Sequence, residues 1–135
     1  MYLVPLKTKK NSHFIEDTEK ARSLLEKIQH AGIKISLDDF GMAYSSLNVL
    51  KTLPINELKI DKSFVRDILT DEQDRKMVQG IINLCKNLEI PVVAEGVETK
   101  EQADILKEYD CDVLQGFYFA HPMDKESLKE FLFNK

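Results

Sequence analysis

Four short apolar runs, "IKISL" (33–37), "ELKI" (57–60), "IPVVAEG" (90–96) and "DVLQGFYF" (112–119), are separated by stretches with the spacing of amphipathic helices. Before the first run, Ala21, Leu24, Leu25 and Ile28 recur at helical intervals. Asp17 or Thr18 is placed to cap that helix and Gly32 to end it. A short helix then carries Leu47, Leu50 and Leu53 on one face and stops at Pro54. The longest helix is predicted over about 71–88, with Asp71 and Glu72 in its first turn and Val78, Ile81, Ile82, Cys85 and Leu88 on its buried face. Thr99 and Gln102 form a capping box for a helix with Ala103 and Leu106, and Asp124 caps a last helix built on Leu128, Phe131 and Leu132. The order is helix, then strand and helix four times. Strict alternation of this kind makes a parallel sheet covered by helices, and "IPVVAEG" reads as a strand buried on both faces. "YLVPL" near the start is a further strand candidate, confined by Pro5 to an edge or an end.

At 135 residues the chain is one domain or a piece of a larger one. Hydrophobic content of 43% is enough for a modest core. A net charge of −4 and pI near 5.4 leave no footprint for nucleic acid or an anionic membrane, and no apolar run reaches the roughly 20 residues that span a bilayer. The N-terminal "MYLVPLKTKK" has its charges after the apolar run, the reverse of a secretory signal. Cys85 and Cys111 make neither a disulfide framework nor a zinc site, and Cys85 reads as a buried free thiol. The expected compartment is the cytoplasm.

The chemistry gathers where the strands end. The first closes on Asp38-Asp39, the second on Lys59 and Asp61, the third on Glu95 with Glu98 nearby, the fourth on Gln115. In parallel α/β folds those C-terminal ends line the ligand site. Asp38 and Asp39, as neighbours in a strand, share a site only where the strand is ending, and Gly41 permits that turn. Two carboxylates about 4 Å apart repel by roughly 4 kcal/mol at an effective dielectric near 20, a penalty that a divalent cation converts into binding. The plainer alternative makes one aspartate a helix cap and leaves the other solvated. Lys59 is either a snorkelling surface lysine or a point charge that holds a water or a phosphate. Glu95, directly after "VVA", is costly as an ion unless paired or metal-bound. Glu98 reads as a helix N-terminal acid and Gln115 as a partner for buried backbone groups. His13, His30 and His121 lack ligand-like spacing and read as surface or structural. Carboxylates with one lysine at the mouth of a parallel sheet suggest hard-cation chemistry on a phosphate ester.

"DDFGMAYSSL", "LPINELKIDKSFV", "VVAEGVET", "KEQADIL" and "CDVLQGFYFAHPM" together resemble the C-terminal half of an EAL domain, from about Ile15 to Phe131. That family hydrolyses cyclic di-GMP to the linear dinucleotide. The resemblance implies a TIM-barrel-like α/β fold, of which parallel βα units with about four strands form this half, residues 15–135, behind a divergent segment 1–14. It implies Mg²⁺ or Mn²⁺ at the strand ends with Asp38 and Asp39 as ligands. Lys59 would position the attacking water, Glu95 would lie near the metals, and Asp61, Glu98 and Gln115 would support them. Phe40, Gly41, Met42, Ala43, Tyr44 and Ser45 would form the lid loop that couples substrate binding to dimerisation.

The departures from the family are equally specific. The E-A-L tripeptide and the ligand asparagine are absent. Thr8, in "LKTKKNSH", falls where the family has a third acidic ligand, and Met42-Ala43 replaces the usual T-G of the lid. A barrel typically has about 250 residues and eight strands, so a half-barrel leaves sheet edges and an apolar interior exposed. The expectations that follow are a homo-oligomer and no turnover by the isolated chain, with the binding of cyclic di-GMP and of metal left open by the missing ligands. Three functions are in competition: an active phosphodiesterase, a non-catalytic module that binds a protein or nucleotide, and a fragment without independent function.

Overall fold

The computed structural model describes residues 3–7, 18–40 and 47–134. The elements are β1 (Leu3–Lys7), α1 (Thr18–His30), β2 (Lys34–Phe40), α2 (Leu47–Thr52), β3 (Glu57–Ile60), α3 (Lys62–Asp67), α4 (Glu72–Asn87), β4 (Val92–Glu95), α5 (Lys100–Glu108), β5 (Val113–Gln115) and α6 (Lys125–Phe133). The five strands make one parallel sheet in the sequential order β1-β2-β3-β4-β5. A parallel crossover is right-handed in nearly every fold. When each new strand is added on the same side of the last, that rule puts every helix on the same face. The sheet is therefore wound in one direction only, as in a barrel.

Burial follows the winding. Ile35, Leu37, Leu58, Ile60, Val92 and Ala94 are fully buried against Ala21 and Leu25 of α1, Val49 and Leu50 of α2, Val78, Ile81, Ile82 and Cys85 of α4, and Ala103 and Leu106 of α5. The alternate residues of the same strands (Ser36, Lys59, Val93 and Val113) lie outside that core, on the other face. β1 is the fifth strand and lies at an edge of the sheet, the kind of strand in which a proline is tolerated.

Five local expectations change. α3 is an additional helix between the second strand and the longest helix. Asp71 stands one residue before α4 as its N-cap, accepting from the amides of Gln73 and Asp74 at 2.8 and 3.1 Å. β5 stops at Gln115 instead of running to 119, because Gly116 packs directly on the backbone of Val97. Leu24, Leu47 and Leu88 are exposed, not buried, Leu47 by 65%. α6 is capped by Asp124 through the Ser127 amide at 2.8 Å, yet none of its residues is buried, and Leu128, Phe131 and Leu132 face outward. The proposed cap Asp17, the divergent residues Thr8 and His13, and lid residues 41–45 lie outside the described residues.

Candidate functional site

β2 runs through Asp38 and Asp39 to Phe40 instead of ending at the acids. Its backbone register with β3 is irregular at the two aspartates. Leu37 pairs with Leu58 and Phe40 with Ile60, so Asp38 and Asp39 together stand opposite the single residue Lys59. This is a bulge, two residues facing one, a device that re-aims side chains at the rims of sheets. Phe40, expected in the lid loop, closes β2 and is buried in the core. Asp38 is half-buried and engaged in an interaction of its own.

Lys59 lies on the face away from the helices, as its register with Val93 requires. Two residues further along β4, Glu95 points to the same side, and the Lys59 Nζ reaches its Oε1 at 3.3 Å. The two side chains are 20% and 26% exposed. Glu95 thus meets the condition set for an ion after an apolar run: it is paired. Gln115 stands opposite Glu95 in the register of β4 and β5 and is exposed.

The remaining candidates occupy plainer positions. Asp61 caps α3, its Oδ1 accepting from the Ser63 amide at 2.8 Å. Glu98 is exposed, and its backbone amide donates to Gln102 Oε1 at 2.8 Å. His30 binds the Glu26 carbonyl at 2.7 Å through Nδ1, and His121 stacks on Phe117 with ring centroids 4.3 Å apart. Cys85 is a buried free thiol, and burial pushes it up to about 11, so it is neutral and unsuited to metal or nucleophilic work.

Two glycines that the sequence reading did not single out fix the rim. Gly96, next to Glu95, has φ +76°, and a Cβ there would lie 2.6 Å from the Lys62 Cβ. Gly116, next to Gln115, leaves no room for a Cβ against the Val97 oxygen and nitrogen. The Val97 amide binds the Gln115 carbonyl and the Tyr118 amide binds the Val97 carbonyl, each at 3.0 Å. These contacts hold the ends of β4 and β5 together beneath Glu95 and Gln115. The signal was present in the sequence as a glycine directly after each polar strand end, "EG" and "QG".

A divalent cation of this class takes about six oxygen ligands. Among the described residues no group of three or more His, Cys, Asp or Glu side chains is placed to hold one. Asp38 and Glu95 are carboxylates two strands apart, roughly 10 Å at the backbone, with Lys59 on the strand between them. The described residues do not by themselves complete a metal site. What they do is set a lysine between two acids along the strand ends. No helix among them is long and apolar enough to cross a membrane.

Residues 9–122 match the EAL domain family. The cyclic di-GMP phosphodiesterase NbdA of Pseudomonas aeruginosa is 44% identical over 109 residues, which are 81% of this chain and 14% of NbdA. The solved PaMucR phosphodiesterase in complex with c-di-GMP superposes with a TM-score of 0.82 at 38% identity, over 93% of this chain and 50% of that one. BlrP1 of Klebsiella pneumoniae, solved as a calcium and cyclic di-GMP complex, gives a TM-score of 0.76 at 33% identity over 89% of this chain and 30% of its own. The chain spans half or less of each of these proteins.

Proposed function

The chain belongs to the EAL domain family, and on that premise we propose that it forms one wall of a cyclic di-GMP phosphodiester site and does not turn the dinucleotide over by itself. Asp38 and Asp39 are the metal-facing acids of this wall. Lys59 and Glu95 are its catalytic pair, with Asp61, Glu98 and Gln115 in support. The observation that carries the reading is the Lys59–Glu95 contact on the sheet face away from the core helices, one strand from the aspartate bulge. The solved PaMucR structure is a c-di-GMP complex and the BlrP1 structure a calcium and cyclic di-GMP complex, each on a chain at least about twice as long as the part matched here. When bound, Mg²⁺ or Mn²⁺ would polarise the phosphodiester and lower the pKa of the attacking water. The residues of this chain would hold and orient the ester: the Lys59 ammonium faces its negative charge, and Glu95 fixes that ammonium in place. A wall of this kind lacks the opposing ligands, among them the acid where Thr8 stands.

The test is cyclic di-GMP hydrolysis by the purified chain with saturating Mn²⁺. The expected result is no linear product above the metal-only background, and turnover would sink the proposal.

Exposed apolar surface supports a second reading, in which the chain acts as a self-associated, non-catalytic module. Val113 on the edge strand β5 is 48% exposed, and α6 turns Leu128 and Leu132 outward. A second copy that covers these edges predicts a dimer or larger species in sedimentation. A stable monomer with a cooperative melt would count against it. Calorimetry with cyclic di-GMP separates a nucleotide-binding module from one that binds only protein.

A further inference from the structure

Every helix that lies between two described strands buries part of its apolar side. α1 buries Leu25, α2 Leu50, α3 Val65, α4 Ile82 and α5 Leu106. α6 is the exception: it comes after β5, no described strand follows it, and none of its residues is buried. The winding explains why. In a singly wound parallel sheet a helix crosses from one strand to the next and rests on both. The apolar stripe of α6 lacks its floor on the side where a further strand would pair with β5. β5 itself has β4 on one side only, and its Val113 is exposed.

We infer that the stripe of α6 and the free edge of β5 form a docking surface for the remaining βα units of an EAL barrel, and that this half captures them without a covalent link. The inference rests on the family assignment and not on the phosphodiester reading. A free parallel edge offers amides and carbonyls to a new strand, and the stripe adds the apolar contact that such pairing alone lacks. Val113, Leu128, Leu132 and Phe133, with Phe117 and Phe119 of the turn after β5, leave roughly 600 Å² of side chain uncovered, near the roughly 800 Å² per partner of a standard interface. Likeness selects the occupant. The solved EAL domain of Mycobacterium smegmatis DcpA superposes on 98% of this chain with a TM-score of 0.85 at 32% identity, and the match takes up 58% of that domain. The rest of it is what a barrel of eight strands adds to five. A second copy fits less well. It brings five strands where a barrel of eight leaves room for three, and head-to-tail pairing that does not close propagates into open filaments.

The experiment co-expresses the tagged full chain with the segment of the DcpA EAL domain that lies outside the match, and weighs what co-purifies by light scattering. The expected result is a complex of one copy of each, with amide exchange slowed along α6 and at β5. Leu128→Asp combined with Leu132→Asp changes two exposed side chains, and circular-dichroism melts establish that the variant is folded. Its capture of the segment should fall by about tenfold or more, since each aspartate removes a leucine's burial and adds a charge to desolvate. Leu128→Met combined with Leu132→Met, still apolar, should capture like the parent chain. The inference is overturned if no complex is recovered, or if the aspartate variant captures as well as the parent. It is equally overturned if the chain alone gains the same α6 protection as its concentration rises, which makes a second copy the occupant. The readout is association without nucleotide, so its failure leaves the hydrolysis reading standing, and turnover by the isolated chain leaves this result unaffected.

Discussion

Replacing either of two glycines by alanine should move stability in opposite directions. Gly80 lies inside α4, and a Cβ built there meets nothing within 4 Å. Alanine at a helix-interior glycine removes backbone entropy from the unfolded chain and is worth about 0.8–1 kcal/mol. Across 135 residues that is roughly a 3–4 °C rise in Tm. Gly116 is the reverse case. Its Cβ would overlap the Val97 backbone, which is held by two 3.0 Å hydrogen bonds, from the Val97 amide to the Gln115 carbonyl and from the Tyr118 amide to the Val97 carbonyl. Overpacking against backbone costs about 1–3 kcal/mol, and each hydrogen bond lost costs about 1 more. Gly116→Ala should therefore lose about 3–5 kcal/mol, a large share of the 5–15 kcal/mol typical of a domain. Urea melts at one fixed protein concentration measure both variants, since self-association would make stability concentration-dependent. Amide exchange should show the Gly116→Ala loss first at Val97 and Tyr118. If Gly116→Ala melts with the parent chain, the close approach of β4 and β5 is wrong, and so is the claim that it sets the rim beneath Glu95.

Thr99→Ala breaks a reciprocal cap in which Thr99 Oγ1 accepts from the Gln102 amide at 3.2 Å and Gln102 Oε1 accepts from the Thr99 amide at 3.1 Å. A loss of about 1 kcal/mol in a urea melt is expected. Gln102→Ala should cost more, because the buried Gln102 side chain also holds the Glu98 amide. The Asp124 carboxyl is held below the usual carboxylate range, first by the Ser127 amide. Its contribution to α6 is complete above the unfolded value of about 3.9 and is lost as pH falls through the lower folded value. Protection of the α6 amides, corrected for intrinsic exchange, should stay flat with pH until strongly acidic conditions, and Asp124→Asn, which caps without titrating, should remove the acid-side change; fraying of α6 already near neutral pH would refute the assignment.

Whatever local chemistry dictates was legible in the sequence. The capping box at Thr99, the cap at Asp124, the core face of α4 and the parallel α/β order follow from residue types at fixed spacings, and the structure has all of them. The failures come from what a period cannot carry. The spacing of Leu128, Phe131 and Leu132 identifies an apolar stripe on α6, but nothing in it says whether another layer lies there to cover it. α3 escaped because six residues, three of them charged (Lys62, Arg66 and Asp67), give less than two turns of pattern. Aromatic residues at 117–119 favour a strand, yet the crowding at Gly116 turns the chain first. The bulge at Asp38 and Asp39 was illegible for the same reason: register is a relation between strands, and "SLDDF" alone reads as simple alternation.

The direction of winding also decides how much of a site this chain can own. In a doubly wound sheet, ligands bind in a crevice between helices that lie on both faces, and one chain segment supplies both lips. Here all the core helices lie on one face, and the polar residues of the rim (Asp38, Lys59, Glu95 and Gln115) come from four successive strands that face the other way. A site on that face is bounded only by what curls round to meet it. Five strands of a barrel of eight describe an arc and leave the opposite wall to other residues. Within the arc Lys59 supplies the positive charge that Glu95 requires.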